Sequence, residues 1–261
     1  MSSAAPTVVA VLLYLTASAL YMLHLYGRGR RLALFAHVVL GLGAAAQLAA
    51  IGTQCAGGVP PLRDMREVLP FVSWLLVAIY LLASLRYPVG ALGAPVALGS
   101  ALVLLTARLV PHDRSPVPLR LLGELHITLA TVGAAAFTLA AMSAGLYLVQ
   151  ESRLRHKRFA PLLFLRTPAL ETLDTLGHRA VAFGLPIFTA ALIAGGLWAD
   201  RSAALRPEYL IASLCWLMFF GLLVARFRSG WRGRPAALLT LLGFASCALV
   251  LGIYLARSVG G

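Results

Sequence analysis

Six histidines are the side chains in this sequence best suited to binding a metal ion. His37 and His126 each lie inside a long apolar stretch, whereas the other four lie near the ends of such stretches or between them. A neutral imidazole is a common metal ligand, and an imidazole inside a membrane is costly unless it has a partner. His37 and His126 are therefore the first candidates for a ligand site. For His126 the alternative partner is a polar group on a neighbouring helix.

Other reactive arrangements are missing from the sequence. It contains no nucleophile–base set, no pair of carboxylates, no phosphate-binding loop and no HExxH motif. Cys55, Cys215 and Cys247 form no CxxC motif, so we interpret them as small hydrophobic residues. We therefore expect a binding protein rather than an enzyme.

The elements that must position the histidines are membrane spans. Hydrophobic residues make up 60% of the chain and charged residues 12%, which is too apolar for a water-soluble domain. Stretches of about 20 apolar residues recur along the chain, as a helix that crosses a bilayer requires. We predict an all-α, polytopic membrane protein with one domain, residues 1–261, made of eight transmembrane helices. The predicted spans are 6–26, 32–51, 68–85, 89–109, 121–150, 180–198, 209–225 and 235–256.

The distribution of basic residues predicts the orientation. The connectors that follow the first, third, fifth and seventh spans hold 14 Lys and Arg residues, and the other side holds 8. Basic residues favour the cytoplasmic side, so both termini are predicted to be extracytoplasmic, in an inner (plasma) membrane. We read the net charge of +13 as this topology signal plus attraction to anionic lipid, not as a nucleic-acid site.

The predicted topology separates the two histidines. His126 lies about five residues into its span from the outer side, ~8 Å below the surface, and His37 lies at a similar depth from the inner side. In a core about 30 Å thick this leaves roughly 14 Å between them. Two axial nitrogens on one iron lie only about 4 Å apart. His37 and His126 therefore cannot both bind the same heme iron.

The segment PPLRDMREVLPFVSW, residues 60–74, joins the second and third spans. Two prolines at its start end the second span, and Pro70 is predicted in the first turn of the third, where a missing N–H does least harm. Glu67 would lie at the N-terminus of that span, where the helix dipole favours negative charge. Trp74 follows two turns later. By chemistry alone this is a helix cap with an interfacial aromatic anchor.

Several segments, in order, resemble the cytochrome c assembly protein family (the CcsA/HemX group). PLRDMREVLPFVSW is similar to the family's Pro-Leu, Glu, Phe-x-Ser-Trp signature. FAHVVLGLGAAAQ resembles the second span with its histidine, and ELHITLATVGAAAF resembles a later span that also begins near a histidine. LDTLGHRAVAFGLPIFTAALIAGGLWA and GWRGRPAALLTLLGF resemble the segments that follow. Matching positions in the first signature are Pro61, Leu62, Glu67, Leu69, Phe71, Ser73 and Trp74.

The resemblance implies handling of heme at the membrane. Family members are thought to carry heme across and present it to apocytochrome CxxCH motifs, using histidine pairs and a Trp-rich outer platform. By this resemblance His126 is the outer axial ligand of heme b and His37 the inner candidate. Trp74 either stacks on the macrocycle or packs within the bundle. The implied partners are heme, the lipid bilayer and other cytochrome c biogenesis membrane proteins.

The sequence also departs from the family pattern. Val224 occupies the position of a family histidine, and the interval LWADRSAALRPEYL keeps Trp198 and Pro207 but lacks the Trp-rich platform. These departures place the chain closer to the HemX-like branch. His24 and His112 are candidates for the missing second ligands, whereas His178 and His156 are read as interfacial and solvated. Candidate cations for heme propionates are Arg63, Arg66, Arg114 and Arg120.

These observations predict a membrane heme-binding protein that assists cytochrome c assembly as a HemX-like accessory member. The alternative is a non-heme membrane scaffold or regulator of tetrapyrrole or cytochrome biogenesis that kept the fold. A solute transporter is disfavoured, because the charged residues cluster at the ends of the spans.

Overall fold

The computed structural model describes residues 4–27, 30–56, 62, 65–110, 121–156, 167–198 and 207–260. These residues form eight α-helices, each long and apolar enough to cross a membrane, which confirms the predicted all-α, multi-pass architecture. The helices are α1 (Ala4–Leu25), α2 (Arg30–Ala56), α3 (Met65–Ser84), α4 (Gly90–Leu109), α5 (Leu121–Arg155), α6 (Leu170–Trp198), α7 (Pro207–Ser229) and α8 (Arg234–Gly260).

Two helices begin three or more residues before their predicted starts. Helix α3 begins at Met65, so Pro70 lies in its second turn rather than its first, and Glu67 lies in the first turn. Helix α6 begins at Leu170, ahead of the predicted start at residue 180. The apolar windows stop where polar residues begin, whereas a helix continues as long as its backbone bonds are made and its polar side chains find partners or water.

Consecutive helices run antiparallel, and side-chain contacts fix their register. The Tyr21 hydroxyl at the end of α1 bonds to His37 near the start of α2, and Ser84 at the end of α3 bonds to the same histidine. Across α5 and α6, Gly195 lies against His126 and Gly184 lies against Phe137. The starts of α1, α3, α5 and α7 therefore share one end with the last residues of α8. We call this the terminal end and the other the opposite end.

A small apolar cluster joins α3, α4 and α8 at the terminal end, and the two main clusters of the described residues meet at α5 and α6. The larger one joins α1–α4 with one face of α5 and the first turns of α6, and includes Tyr14, Leu92 and Leu139. The smaller one joins α5–α8 around a stack of Phe137 on Phe219, whose ring centroids are 4.0 Å apart. Without a hydrophobic force between helices in lipid, such close packing is the main source of their association.

Ion pairs hold α7 and α8 at both ends. At the opposite end the Arg226 guanidinium donates to Asp174 of α6 at 2.7 Å, and the Gly233 N–H donates to the second carboxylate oxygen at 3.1 Å. At the terminal end Arg257 donates to Glu208 at 2.6 Å. Asp174 thus connects α6 to α7 and to the turn before α8 through one carboxylate that is mostly shielded from solvent.

We predict that Asp174→Asn destabilises the protein by about 2–3 kcal/mol, because it leaves the largely buried Arg226 without its counter-charge. The midpoint of thermal unfolding in detergent should fall by several degrees. The matched control is Glu151→Gln, which removes the acid of the more exposed Arg155–Glu151 pair and should cost about 0.5 kcal/mol or less. Equal midpoints for the two variants would show that Asp174 does not hold the helices together.

The α5–α6 contact should be intolerant of a single methyl group at Gly184. A Cβ there would lie 2.9 Å from Phe137 and 3.0 Å from Ala136, so Gly184→Ala should destabilise by about 1–3 kcal/mol. Gly145→Ala on α5 is the control, since a Cβ there meets nothing within 4 Å. It should be neutral or slightly stabilising in the same unfolding measurement. A neutral Gly184→Ala would contradict this close approach.

Candidate functional site

His126 lies in the second turn of α5, at the terminal end, and packs against the last turns of α6. Its Nδ1 atom is 2.7 Å from the carbonyl oxygen of Ala191. The Trp198 ring, at the end of α6, lies 6.3 Å from the imidazole, centroid to centroid. The imidazole is half-buried, and the indole is 40% exposed. The imidazole and the indole together form an aromatic corner at the rim of the bundle.

Gly195 makes room for the imidazole. A Cβ at this position would lie 2.6 Å from His126 Nδ1 and 2.7 Å from Cε1, distances that real Cβ atoms do not show. The neighbouring residue, Gly196, has open space where its Cβ would be. Only a glycine at 195 lets α6 accept the ring so close to its backbone.

The bond to Ala191 fixes the chemistry of the His126 ring. A carbonyl oxygen can only accept, so Nδ1 must carry the proton and donate. In the neutral imidazole Nε2 then holds the lone pair, and it makes no hydrogen bond to another residue that the structure describes. A histidine oriented by Nδ1–H···O=C, with Nε2 available, is the usual arrangement of a metal-ligating imidazole.

His37 lies near the start of α2, at the opposite end, in a cluster of hydroxyl-bearing side chains. The Tyr21 hydroxyl is 2.7 Å from its Nδ1 atom, and Ser84 Oγ is 2.7 Å from its Nε2 atom. Tyr80 packs against both Tyr21 and His37. A Cβ at Gly93 of α4 would collide with the Tyr21 ring, so this glycine makes room for the cluster.

Both nitrogens of His37 are engaged. Ser84 Oγ donates its proton to the Leu81 carbonyl at 2.6 Å, so its oxygen accepts from His37 Nε2–H. The remaining nitrogen, Nδ1, then accepts from the Tyr21 hydroxyl. Binding a metal through His37 requires the loss of one of these bonds. The sequence-based separation of the two histidines is confirmed, since His37 and His126 lie at opposite ends of the bundle.

Trp74 lies in the middle of α3 and packs inward. Its indole N–H donates to the Ala44 carbonyl of α2 at 3.1 Å, and the ring packs against the larger apolar cluster. The structure therefore places Trp74 in a packing role between α2 and α3. A stacking role on a macrocycle remains a prediction.

The other histidines lie apart from His126. His24 is in the last turn of α1, and His178 near the start of α6 makes an edge contact with Phe227 at 6.3 Å. His156, just beyond α5, is exposed and bonds to the Ser152 carbonyl. All three lie at the opposite end. His112 lies outside the described residues.

The arginines predicted to pair with propionates are only partly covered by the structure. Arg66 is described, and it donates to the Val110 carbonyl at 3.1 Å at the terminal end of α3 and α4. Arg63, Arg114 and Arg120 lie outside the described residues, so their role stays a prediction.

Sequence reasoning missed the polar partners. Tyr21, Tyr80 and Ser84 surround His37, but only its position in an apolar span had been noted. A signal was present, because Tyr14 and Tyr21 are seven residues apart and share one face of α1. Their hydroxyls bond to Gln47 and His37, respectively. No signal could have identified the carbonyl of Ala191, since every residue carries one.

The chain is similar over most of its length to proteins of one family. The family model described as "Cytochrome C assembly protein" matches residues 62–260. The cytochrome c biogenesis protein CcsA of Guillardia theta is 30% identical over 214 residues, which cover 72% of this chain and 70% of that protein. The protein of the same name from Microcystis aeruginosa is 28% identical over 242 residues, with 72% and 74% covered. The resemblance seen in the ordered motifs is thus confirmed, and the chain belongs to the cytochrome c assembly protein family.

Proposed function

We propose that this chain binds heme at the terminal end of its bundle, where His126 would hold the iron, and assists cytochrome c biogenesis. The observation that carries the proposal is the Nδ1–H···O=C bond from His126 to Ala191, which leaves Nε2 as the ligating atom. The family relationship supports the process, because the relatives named above are cytochrome c biogenesis proteins.

Heme suits this site better than a bare metal ion. Among the described residues, no three His, Cys, Asp or Glu side chains come together as a metal-binding group. An ion at His126 would therefore need most of its ligands from elsewhere, and a porphyrin supplies four nitrogens itself. A single histidine then suffices to hold the iron. Trp198, next to the imidazole and partly exposed, offers an aromatic surface for the macrocycle edge.

The residues of this chain would position the group rather than transform it. The Ala191 carbonyl and the space left by Gly195 set the direction of the imidazole. When bound, heme supplies the iron centre that a cytochrome requires. We place the site on the extracytoplasmic side of the inner (plasma) membrane, following the distribution of basic residues, with both termini on that side. The missing Trp-rich platform favours a HemX-like accessory role over direct presentation to an apocytochrome.

His37 is the second candidate ligand, but its hydrogen bonds give it a different status. Binding iron through Nδ1 would displace the Tyr21 hydroxyl. Binding through Nε2 would displace Ser84 and would also require the other tautomer of the imidazole. Because both nitrogens of His37 are hydrogen-bonded, this histidine stabilises the bundle without a cofactor. That favours the alternative function, a membrane scaffold or regulator without heme. The two functions make different predictions: a heme-binding protein should bind hemin when purified, and a scaffold should not.

We predict that purified protein binds hemin and that His126→Ala weakens binding about tenfold or more, as expected for the loss of a metal ligand. The Soret band of the remaining complex should shift, and added imidazole should restore it. His156→Ala, just beyond the other end of α5, is the control and should bind as the parent does. His37→Ala should lower the midpoint of thermal unfolding and leave the Soret spectrum close to that of the parent. A parent that binds no hemin supports the scaffold, and unchanged spectra in both variants remove both ligand assignments.

A second prediction separates the position of the ring from its chemistry. Gly195→Ala keeps the imidazole but forces it away from Ala191, so hemin affinity should fall and the Soret maximum should move. Gly196→Ala adds the same methyl group one residue along, in open space, and should leave both quantities unchanged. Equal hemin affinities for the two variants would mean that the contact with α6 does not orient a ligand.

A further inference from the structure

A polar cavity of about 120 Å³ lies at the terminal end of α1–α4. It is larger than the space that one water molecule occupies in the liquid. None of its lining residues belongs to α5 or α6, so it is distinct from the His126 site. The lining residues are Thr7, Gln47, Ala50, Ile51, Gln54, Arg66, Glu67, Pro70, Leu104, Ala107 and Arg108.

The floor of the cavity is rigid and contains an oriented amide. Gln47 is 1% exposed, accepts from the Tyr14 hydroxyl at 2.5 Å and donates to the Pro70 carbonyl at 2.7 Å. These two bonds use one N–H and one lone pair of the amide, so a second N–H remains available for a ligand. Leu104 and Ala107 of α4, both buried, form an apolar wall beside it.

The rim of the cavity is cationic. Arg108 is exposed at the end of α4, and Arg66 is half-buried at the start of α3. Arg66 donates one N–H to the Val110 carbonyl, and its other four N–H groups make no hydrogen bond to another residue that the structure describes. Glu67 is the single acid in the lining, so the described lining carries two guanidiniums against one carboxylate. The first turns of α1 and α3, which contribute Thr7 and Glu67, add the positive ends of two helix dipoles.

We infer that this cavity binds a phosphate group, either as the headgroup of a phospholipid or as the free anion. Guanidinium groups bind phosphate through paired N–H donors, and helix N-termini favour the same anion. The cavity lies at the ends of membrane-spanning helices, the depth at which lipid phosphates are found. The apolar wall next to the cationic rim fits the junction between a phosphate and an acyl chain. The inference does not depend on heme.

The test compares the parent with Arg66→Gln/Arg108→Gln, each as the full chain purified in detergent. Native mass spectrometry counts the phosphatidylglycerol molecules that survive transfer, and thermal unfolding is followed with added phosphatidylglycerol, phosphatidylcholine or inorganic phosphate. The matched control is Arg86→Gln/Arg228→Gln, which removes two exposed arginines at the opposite end. A hydrogen bond to a charged group is worth about a factor of ten in affinity, so the double variant should bind at least about tenfold more weakly.

The arms of this experiment identify the source of the phosphate. Stabilisation of the parent by phosphatidylglycerol alone assigns a lipid headgroup, and equal stabilisation by inorganic phosphate assigns the free anion. Both support the inference provided that the double variant loses the effect and the control keeps it. The inference is wrong if the parent, the double variant and the control retain the same number of phosphatidylglycerol molecules and are stabilised equally by each of the three additives. The cavity would then hold only water.

A second variant guards against misfolding of the first. Ala50→Leu keeps both arginines and fills the cavity from α2, so it should also abolish the phosphate response. Hemin binding at His126 should stay at the parent level in Ala50→Leu, because this variant keeps Arg66 and no lining residue of the cavity belongs to α5 or α6. Loss of hemin binding with an intact phosphate response, or the reverse, therefore tells the two sites apart. A full phosphate response in folded Ala50→Leu would place the anion outside the cavity.

Discussion

The close approach of α5 and α6 is the constraint on which the rest of the structure depends. In a bilayer, apolar side chains gain little by leaving lipid for protein, so helices associate where small residues let their backbones come together. Here a Cβ at Gly184 or Gly195 would collide with the facing helix, and one at Gly133 would lie 3.1 Å from Phe188. The two main apolar clusters of the bundle meet at this contact. The same closeness brings the Ala191 carbonyl within 2.7 Å of His126, so the contact that holds the helices also orients the candidate ligand.

The two histidines show how one residue type takes two roles inside a membrane. An imidazole removed from water must satisfy two nitrogens, and the surroundings of each ring decide whether both are satisfied. Tyr21 and Ser84 satisfy His37 completely, which makes it part of the frame. At His126 the described residues satisfy one nitrogen and hold the ring against an aromatic side chain. His126 therefore has one nitrogen that could bind a ligand, whereas His37 has none, and this makes His126 the stronger candidate.

The sequence was sufficient for the architecture and insufficient for the partners. Apolar length predicted eight helices, and the depth of His37 and His126 in their spans predicted their separation. The starts of α3 and α6 were wrong because apolar windows end at polar residues such as Asp174, which here pairs with Arg226, 52 residues away. Pairs this distant leave no periodic trace in one sequence. Backbone acceptors such as the Ala191 and Pro70 carbonyls leave no trace in the sequence, because every residue has a carbonyl. The register of the two helices decides which carbonyl faces a donor.

The two ends of the bundle differ in how the hydrogen bonds of their polar side chains are used. At the opposite end several polar groups are bonded to one another: His37 to Tyr21 and Ser84, Asp174 to Arg226, and Arg179 to the Tyr87 hydroxyl. The buried Gln150 Nε2 atom at the same end has no hydrogen-bond partner among the described residues. At the terminal end Arg257 and Glu208 are also bonded to one another, but His126 Nε2 and the second N–H of Gln47 are not committed by the bonds that hold those side chains. A satisfied polar network makes a helix end rigid, and an unsatisfied donor or acceptor stabilises whatever can complete it. At the terminal end two groups of this kind, His126 Nε2 and the second N–H of Gln47, are held in place by the other bonds of their own side chains, and this is why both proposed sites lie there.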